Sequence, residues 1–153
     1  MEALYQQLKQ LLQQQHWQQA NDLTNSILLE ALGKTEADYI NTKEANLIPC
    51  RMLERLNRLW QENSGDKFGF SVQCQLWRSA QQNSFWHGNY FAQSVGWRNG
   101  DKYLTPQELN FSLEDAPIGH LPYLLETNGS LSKRRGFWLF RPLLEKMQQC
   151  HLI

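Results

Sequence analysis

Side chains able to do chemistry are thinly scattered along this 153-residue chain. The four histidines, His16, His87, His120 and His151, have no histidine partner four residues away, so no helical turn offers paired imidazoles to a metal, and no metal site is expected. Cys50, Cys74 and Cys150 are odd in number, far apart and free of any CxxC spacing. That usage argues against a disulfide framework or zinc cluster and for a reducing compartment. No GxSxG elbow, phosphate loop or HExxH signature is present, and Glu114-Asp115 reads as loop charge, so no enzymatic activity is expected. What the chain has in quantity is rings, with six Trp, seven Phe and five Tyr, and near its end a cationic run, Lys133-Arg134-Arg135. Rings suit burial or a flat apolar ligand, and a planar guanidinium suits a carboxylate.

The elements that must position these groups read as mostly helical. Leu4, Leu8, Leu11 and Leu12 form the stripe of an amphipathic helix whose outer face is glutamine. A second stripe, Trp17, Ala20, Leu23, Ile27 and Leu28, ends at Gly33, and the two segments predict a helical hairpin. The polar stretch 34–47 predicts a short helix and a connection. Pro49 suits the first turn of a third helix with Met52, Leu53, Leu56, Leu59 and Trp60 on its buried face, broken at Asn63-Ser64-Gly65-Asp66. Phe68 to Gln73 reads as extended at first, continuing into a helix through Leu76 and Trp77. Asn99-Gly100 predicts a tight turn between short strands at 95–98 and 102–104, and Thr105-Pro106-Gln107-Glu108 has the composition of a capping box. The last amphipathic segment runs from Gly136 to Gln149. No repeat and no dividing linker is seen, so residues 1–153 are expected to form one compact all-α domain with one small β-hairpin.

Fifteen basic residues balance fifteen acidic ones, so no net field draws nucleic acid or an anionic membrane. No apolar run reaches the roughly 20 residues needed to span a bilayer. The polar opening MEALYQQLKQ carries no secretory pattern, and none is expected.

A set of strings then carries a resemblance: Trp17, Ala20-Asn21 and Thr24; Ile48-Pro49-Cys50; Leu59-Trp60; Phe68-Gly69-Phe70-Ser71-Val72-Gln73; Trp77; Val95-Gly96-Trp97; Phe111-Ser112-Leu113; Ala116-Pro117; Gly119-His120-Leu121-Pro122; and Cys150. Their order resembles that of the genomes-uncoupled (GUN) type tetrapyrrole-binding domain over almost the whole chain. The resemblance implies an all-α domain shaped like a cupped hand, whose concave apolar surface holds protoporphyrin IX or magnesium protoporphyrin IX without catalysis. It also implies a role as activator and carrier for magnesium chelatase in chlorophyll biosynthesis, with the porphyrin-binding large subunit as partner. The implied setting is the cytoplasm of a cyanobacterium or a plastid stroma. A monomer is expected, with no intrinsic cofactor and no nucleic acid; peripheral membrane association is compatible with this picture.

On that reading Phe70, Trp97 and Phe111 form the floor of the cup, and Arg134 and Arg135 stand at its rim against the ligand carboxylates. If roughly 300 Å² of macrocycle leaves water, the gross gain is about 7 kcal/mol, and the ordering costs leave micromolar affinity. Magnesium readily keeps a water as axial ligand, so the site needs no histidine, and His120 is expected to hold structure by hydrogen bonding. Trp138, Pro142 and Gln61 depart from the family pattern. Those departures keep an alternative in view, a divergent paralogue serving as a sensory or protein-interaction module with weak or altered tetrapyrrole binding.

Overall fold

The computed structural model describes residues 1–34, 40–83, 86–123 and 140–152. Its first helix, α1 (Glu2–Gln13), buries Tyr5, Leu8 and Leu12 against α2 (Trp17–Ala31), which returns antiparallel through Trp17, Ala20, Ile27 and Leu28. Gly33 takes a left-handed φ of +67° just beyond α2, where a Cβ would be costly. Among the described residues of the polar stretch that follows lies α3 (Thr42–Leu47), started by a reciprocal cap in which Asn41 Oδ1 accepts from Glu44 N–H and Glu44 accepts from Asn41 N–H.

Helix α4 (Cys50–Ser64) follows Pro49 and stops at Gly65 in the left-handed region. Its apolar face presents Leu53, Leu56 and Trp60 to the hairpin, where Trp60 Nε1–H donates to the Thr24 hydroxyl at 3.0 Å. Trp17, Trp60 and Phe68 pack as a ring cluster, with centroids 5.5–6.3 Å apart. On the outer side Arg55 forks onto Glu2 at 2.6 and 2.7 Å and lies over the Tyr5 ring, latching α1 to α4.

Helix α5 (Phe70–Asn83) begins at Phe70, earlier than the extended reading of residues 68–73 expected. Gly69 makes that early start, because a Cβ there would meet Asn57 Oδ1 and Gln61 Cγ at 3.0 Å, and its φ of +128° turns the chain directly into the helix. Helix α6 (His87–Ser94) packs back on α5, and a two-residue pair of strands follows, β1 (Arg98–Asn99) and β2 (Lys102–Tyr103). Asn99 pairs with Lys102, so the loop is Gly100-Asp101, one residue later than expected; Asn99 sits in the ladder and Gly100 alone supplies the positive φ. A 3-10 turn at Pro106–Glu108 carries the expected Thr105/Glu108 capping box. Finally α7 (Arg141–Gln149) buries Leu143, Leu144 and Met147 beside α3 and α5. The chain is thus all-α apart from one small hairpin. Among the described residues no helix is long and apolar enough to cross a membrane.

One expectation is overturned. Cys50 at the first turn of α4 and Cys150 at the end of α7 form a disulfide, with Cα atoms 5.3 Å apart. An odd count guarantees only that one thiol is left over, here the buried Cys74, and the 100-residue separation that hid the pair in sequence vanishes when α7 folds back on α3. In the chain-entropy view, closing a loop of that size is worth about 4–5 kcal/mol.

Among the described residues Gly96 is the most tightly enclosed glycine. With φ at +76°, an added Cβ would lie 2.7 Å from Pro117 Cγ and 3.1 Å from His120 Nδ1. Gly96→Ala is expected to lower the unfolding free energy by about 2–4 kcal/mol, combining left-handed strain with overlap against a stiff ring. Urea denaturation checks it, and a loss under about 1 kcal/mol would mean that Pro117 yields.

Candidate ligand-binding site

Two strings separated by almost fifty residues meet in space. Gly69 N–H donates to Leu121 carbonyl at 3.0 Å and Gly119 N–H to Lys67 carbonyl at 2.9 Å, a reciprocal backbone tie. From the first turn of α5 the fully buried Gln73 then donates its amide to the carbonyls of Gly119 (3.0 Å) and Pro122 (2.8 Å). Its Oε1 is buried with no partner among the described residues, a cost the two donated bonds must offset. In the same first turn of α5, Ser71 donates both its N–H and its hydroxyl to Asn57 Oδ1 on α4, and ahead of the helix Lys67 Nζ donates to the carbonyls of Leu113 and Glu114.

His120 holds the next layer. Its Nδ1 lies 2.7 Å from Val95 carbonyl and its Nε2 accepts from Asn110 N–H at 3.1 Å, so the proton sits on Nδ1 and the ring is neutral. Burial, reinforced by the Lys67 cation, pushes its pKa below the ordinary 6.5, against the opposing pull of the Val95 bond. The structural hydrogen-bonding role expected of His120 is what the geometry displays. Its carbonyl also accepts from Trp97 Nε1–H at 2.7 Å.

Trp97 is the post on which the candidate site stands. Tyr123 and Phe140, the described residues on either side of 124–139, both set their rings against this one indole, with centroids 5.2 and 5.4 Å away. Tyr123 is fixed further: its N–H donates to Asn21 Oδ1, its carbonyl accepts from Asn25, and its hydroxyl donates to Leu104 carbonyl. Phe140 also touches Phe91 and Trp77. Residues 123 and 140 therefore rest on one shared aromatic base.

The sequence-expected site residues are only partly brought together. Phe70 and Trp97 are both 0% exposed, so each is core and presents no face to a ligand. Phe70 opens α5 inside the core and Trp97 is enclosed by Phe91, Tyr123 and Phe140. Phe111 is half-buried, next to the residue whose N–H meets His120. Arg134 and Arg135 lie outside the described residues.

Exposed apolar surface is found elsewhere. Trp86, 71% exposed, and Tyr90, 51% exposed, are four residues apart at the start of α6 and so share one side of it. Asn89, between them, accepts from the Tyr103 hydroxyl, which joins this end of α6 to the hairpin carrying Arg98 and Lys102. Arg98 lies over the Tyr103 ring and Lys102 pairs with Glu108 at 2.6 Å. Sequence reasoning passed over Trp86 and Tyr90 because α6 has only eight residues, too few to display a periodic stripe. Their spacing of four beside polar Asn89 and Gln93 was the available signal. Among the described residues no group of three or more His, Cys, Asp or Glu is placed to hold a metal.

A small helical domain that spends its buried polar groups on fixing loops, and gathers Tyr123 and Phe140 on one indole, is the class this architecture defines. The chain belongs to the GUN4-like family, whose model matches residues 1–146. It is similar to the structure of GUN4 from Chlamydomonas reinhardtii, at 28% identity and a TM-score of 0.69 over 94% of this chain and 89% of that one. An uncharacterized protein ycf53 of Cyanidium caldarium is 32% identical over 83% of this chain and 53% of its own length. The chloroplastic tetrapyrrole-binding protein of Arabidopsis thaliana is 25% identical over 78% of this chain and 48% of its own. The chain thus spans about half the length of the curated relatives it matches.

Two measurements check the polar framework. Gln73→Ala strands the Gly119 and Pro122 carbonyls in the interior and is expected to cost about 2–4 kcal/mol in urea unfolding. Because His120 has a depressed folded pKa, its contribution is complete above the unfolded value near 6.5 and is lost as pH falls from there toward the folded pKa. Unfolding free energy measured from pH 7 to 5 should fall by up to about 1.4 kcal/mol per pH unit, and His120→Gln should flatten that stretch. Glu2, Glu44 and Glu108, held below their usual 4.5 chiefly by hydrogen bonds from Arg55, Lys34 and Lys102, act only at lower pH. An unchanged slope in His120→Gln would remove the assignment.

Proposed function

We propose that this chain is a non-catalytic tetrapyrrole-binding module that takes protoporphyrin IX or magnesium protoporphyrin IX on an apolar surface and serves as activator and carrier for magnesium chelatase. The observation that carries the reading is the family match across residues 1–146, joined to a relative named for tetrapyrrole binding. Trp86 and Tyr90 supply exposed rings, and Phe111 a partly exposed one, against which a macrocycle face leaves water. Arg134 and Arg135 are the proposed partners of its carboxylates, in the stretch whose ends rest on Trp97. Trp97 then acts as support for the site and not as its floor, and Phe70 drops out. Cytoplasm of a cyanobacterium or plastid stroma remains the proposed setting, and the large chelatase subunit the proposed partner.

The burial of Phe70 and Trp97, set beside the exposure of Trp86 and Tyr90, also favours a second reading, a divergent interaction module that kept the fold with weak or altered tetrapyrrole binding.

Titration of the purified protein with protoporphyrin and its magnesium complex, followed by tryptophan quenching and the Soret band, separates the two. Binding in the micromolar range is expected, weakened about fivefold or more by Trp86→Ala without a change in thermal midpoint. No quenching and no Soret shift up to ligand solubility would overturn the proposal in favour of the interaction module. Arg135→Ala should weaken a dicarboxylate porphyrin more than its dimethyl ester; equal losses would show that Arg135 does not meet a carboxylate. Stimulation of a reconstituted magnesium chelatase checks the activator role.

A further inference from the structure

Cys50 and Cys150 tie the start of α4 to the end of α7, and four observations make that tie more than a staple. The chain has a continuous core from Tyr5 to Leu152 and is large enough to fold without covalent help. Helix α7 is held independently by buried Leu143, Leu144 and Met147 and by Lys146 Nζ donating to Asn46 carbonyl, so opening the bond leaves it docked but less constrained. The two sulfurs differ in access: Cys150 is 6% exposed, whereas Cys50 is partly exposed, at the first residue of a 15-residue helix whose N-terminus stabilises a thiolate. Finally, α7 begins immediately after Phe140, one of the two rings resting on Trp97, so the disulfide closes the far end of the element that anchors residue 140.

We infer that the Cys50–Cys150 disulfide is a reversible redox tie, opened by a protein or small-molecule dithiol, that sets how firmly α7 holds Phe140 against Trp97. In reducing compartments the disulfides that do form are mostly transient and catalytic or redox-sensing, and the relatives of this chain include a chloroplastic protein. A thiolate of the dithiol attacks Cys50 Sγ, the bond to Cys150 breaks, and Cys150 leaves as a thiolate that takes up a proton. The second thiol of the donor attacks its own sulfur in the mixed disulfide and releases Cys50 as a thiolate at the α4 N-terminus, which also gains a proton. Two electrons and two protons pass to the chain, and the donor ends as a disulfide. Cys74 takes no part: burial pushes its thiol up to about 12. Resting on the proposed function, the same step loosens Phe140 against Trp97, the support of the proposed site, and lowers tetrapyrrole affinity.

The test uses the full chain, oxidised and after dithiothreitol, with hydrogen exchange of residues 140–152, a thermal melt and a protoporphyrin titration. Native-state reduction should proceed far faster than global unfolding, speed α7 exchange about tenfold and lower the thermal midpoint by about 10–15 °C. Cys50→Ser should reproduce the reduced behaviour and ignore dithiothreitol, while Cys74→Ser should respond like the parent. Reduction no faster than unfolding, or α7 exchange unchanged within twofold, would overturn the tie. Affinity at least threefold weaker in the reduced chain supports the coupling to ligand, and equal affinity with altered exchange overturns that coupling. Binding by neither form overturns the proposed function instead, and the exchange data alone then decide the tie.

Discussion

A single buried amide governs how this domain is put together. Gln73 reaches out of α5 to two carbonyls of the Gly119–Pro122 turn, while the backbones of Lys67–Gly69 and Gly119–Leu121 exchange N–H bonds beside it. In the interior these carbonyls have no water to fall back on, so the amide and the turn require one another. Once the turn is fixed, His120 is delivered between Val95 and Asn110, its carbonyl receives Trp97 Nε1–H, and the small glycines at 96 and 119 let α5, α6 and the turn approach closely.

The rings then share the load. Trp77, Phe91, Trp97, Tyr123 and Phe140 meet mostly edge to face, an arrangement that suits aromatic quadrupoles and gains more than the buried area alone. A second set, Trp17, Trp60 and Phe68, does the same between the hairpin and α4. Most of the aromatic wealth of the sequence therefore goes into holding the domain together, leaving Trp86 and Tyr90, among the described residues, at the surface.

What could be read in advance follows from physical scale. Stripes of leucine over twelve to fifteen residues gave α1, α2 and α4, because long periodic patterns leave few alternatives. The Thr105/Glu108 box was visible because its chemistry is local. The hairpin loop was misplaced by one residue because Asn99 and Gly100 each tolerate a turn and only strand pairing decides between them. The disulfide was missed because the approach of residues 50 and 150 is produced by α7 docking, a tertiary event. The burial of Phe70 and Trp97 is not legible in the strings that hold them, because a motif marks a residue as constrained without saying whether the constraint comes from packing or from binding. Trp86 and Tyr90 lacked such a motif.

Tyr123 is held by Asn21, Asn25 and Leu104 as well as by Trp97, and Phe140 by Trp77 and Phe91 as well as by Trp97, so each ring has more than one restraint. Redundancy of that kind spreads the cost of a change at any single partner over the others, and the indole they share is the position with no understudy.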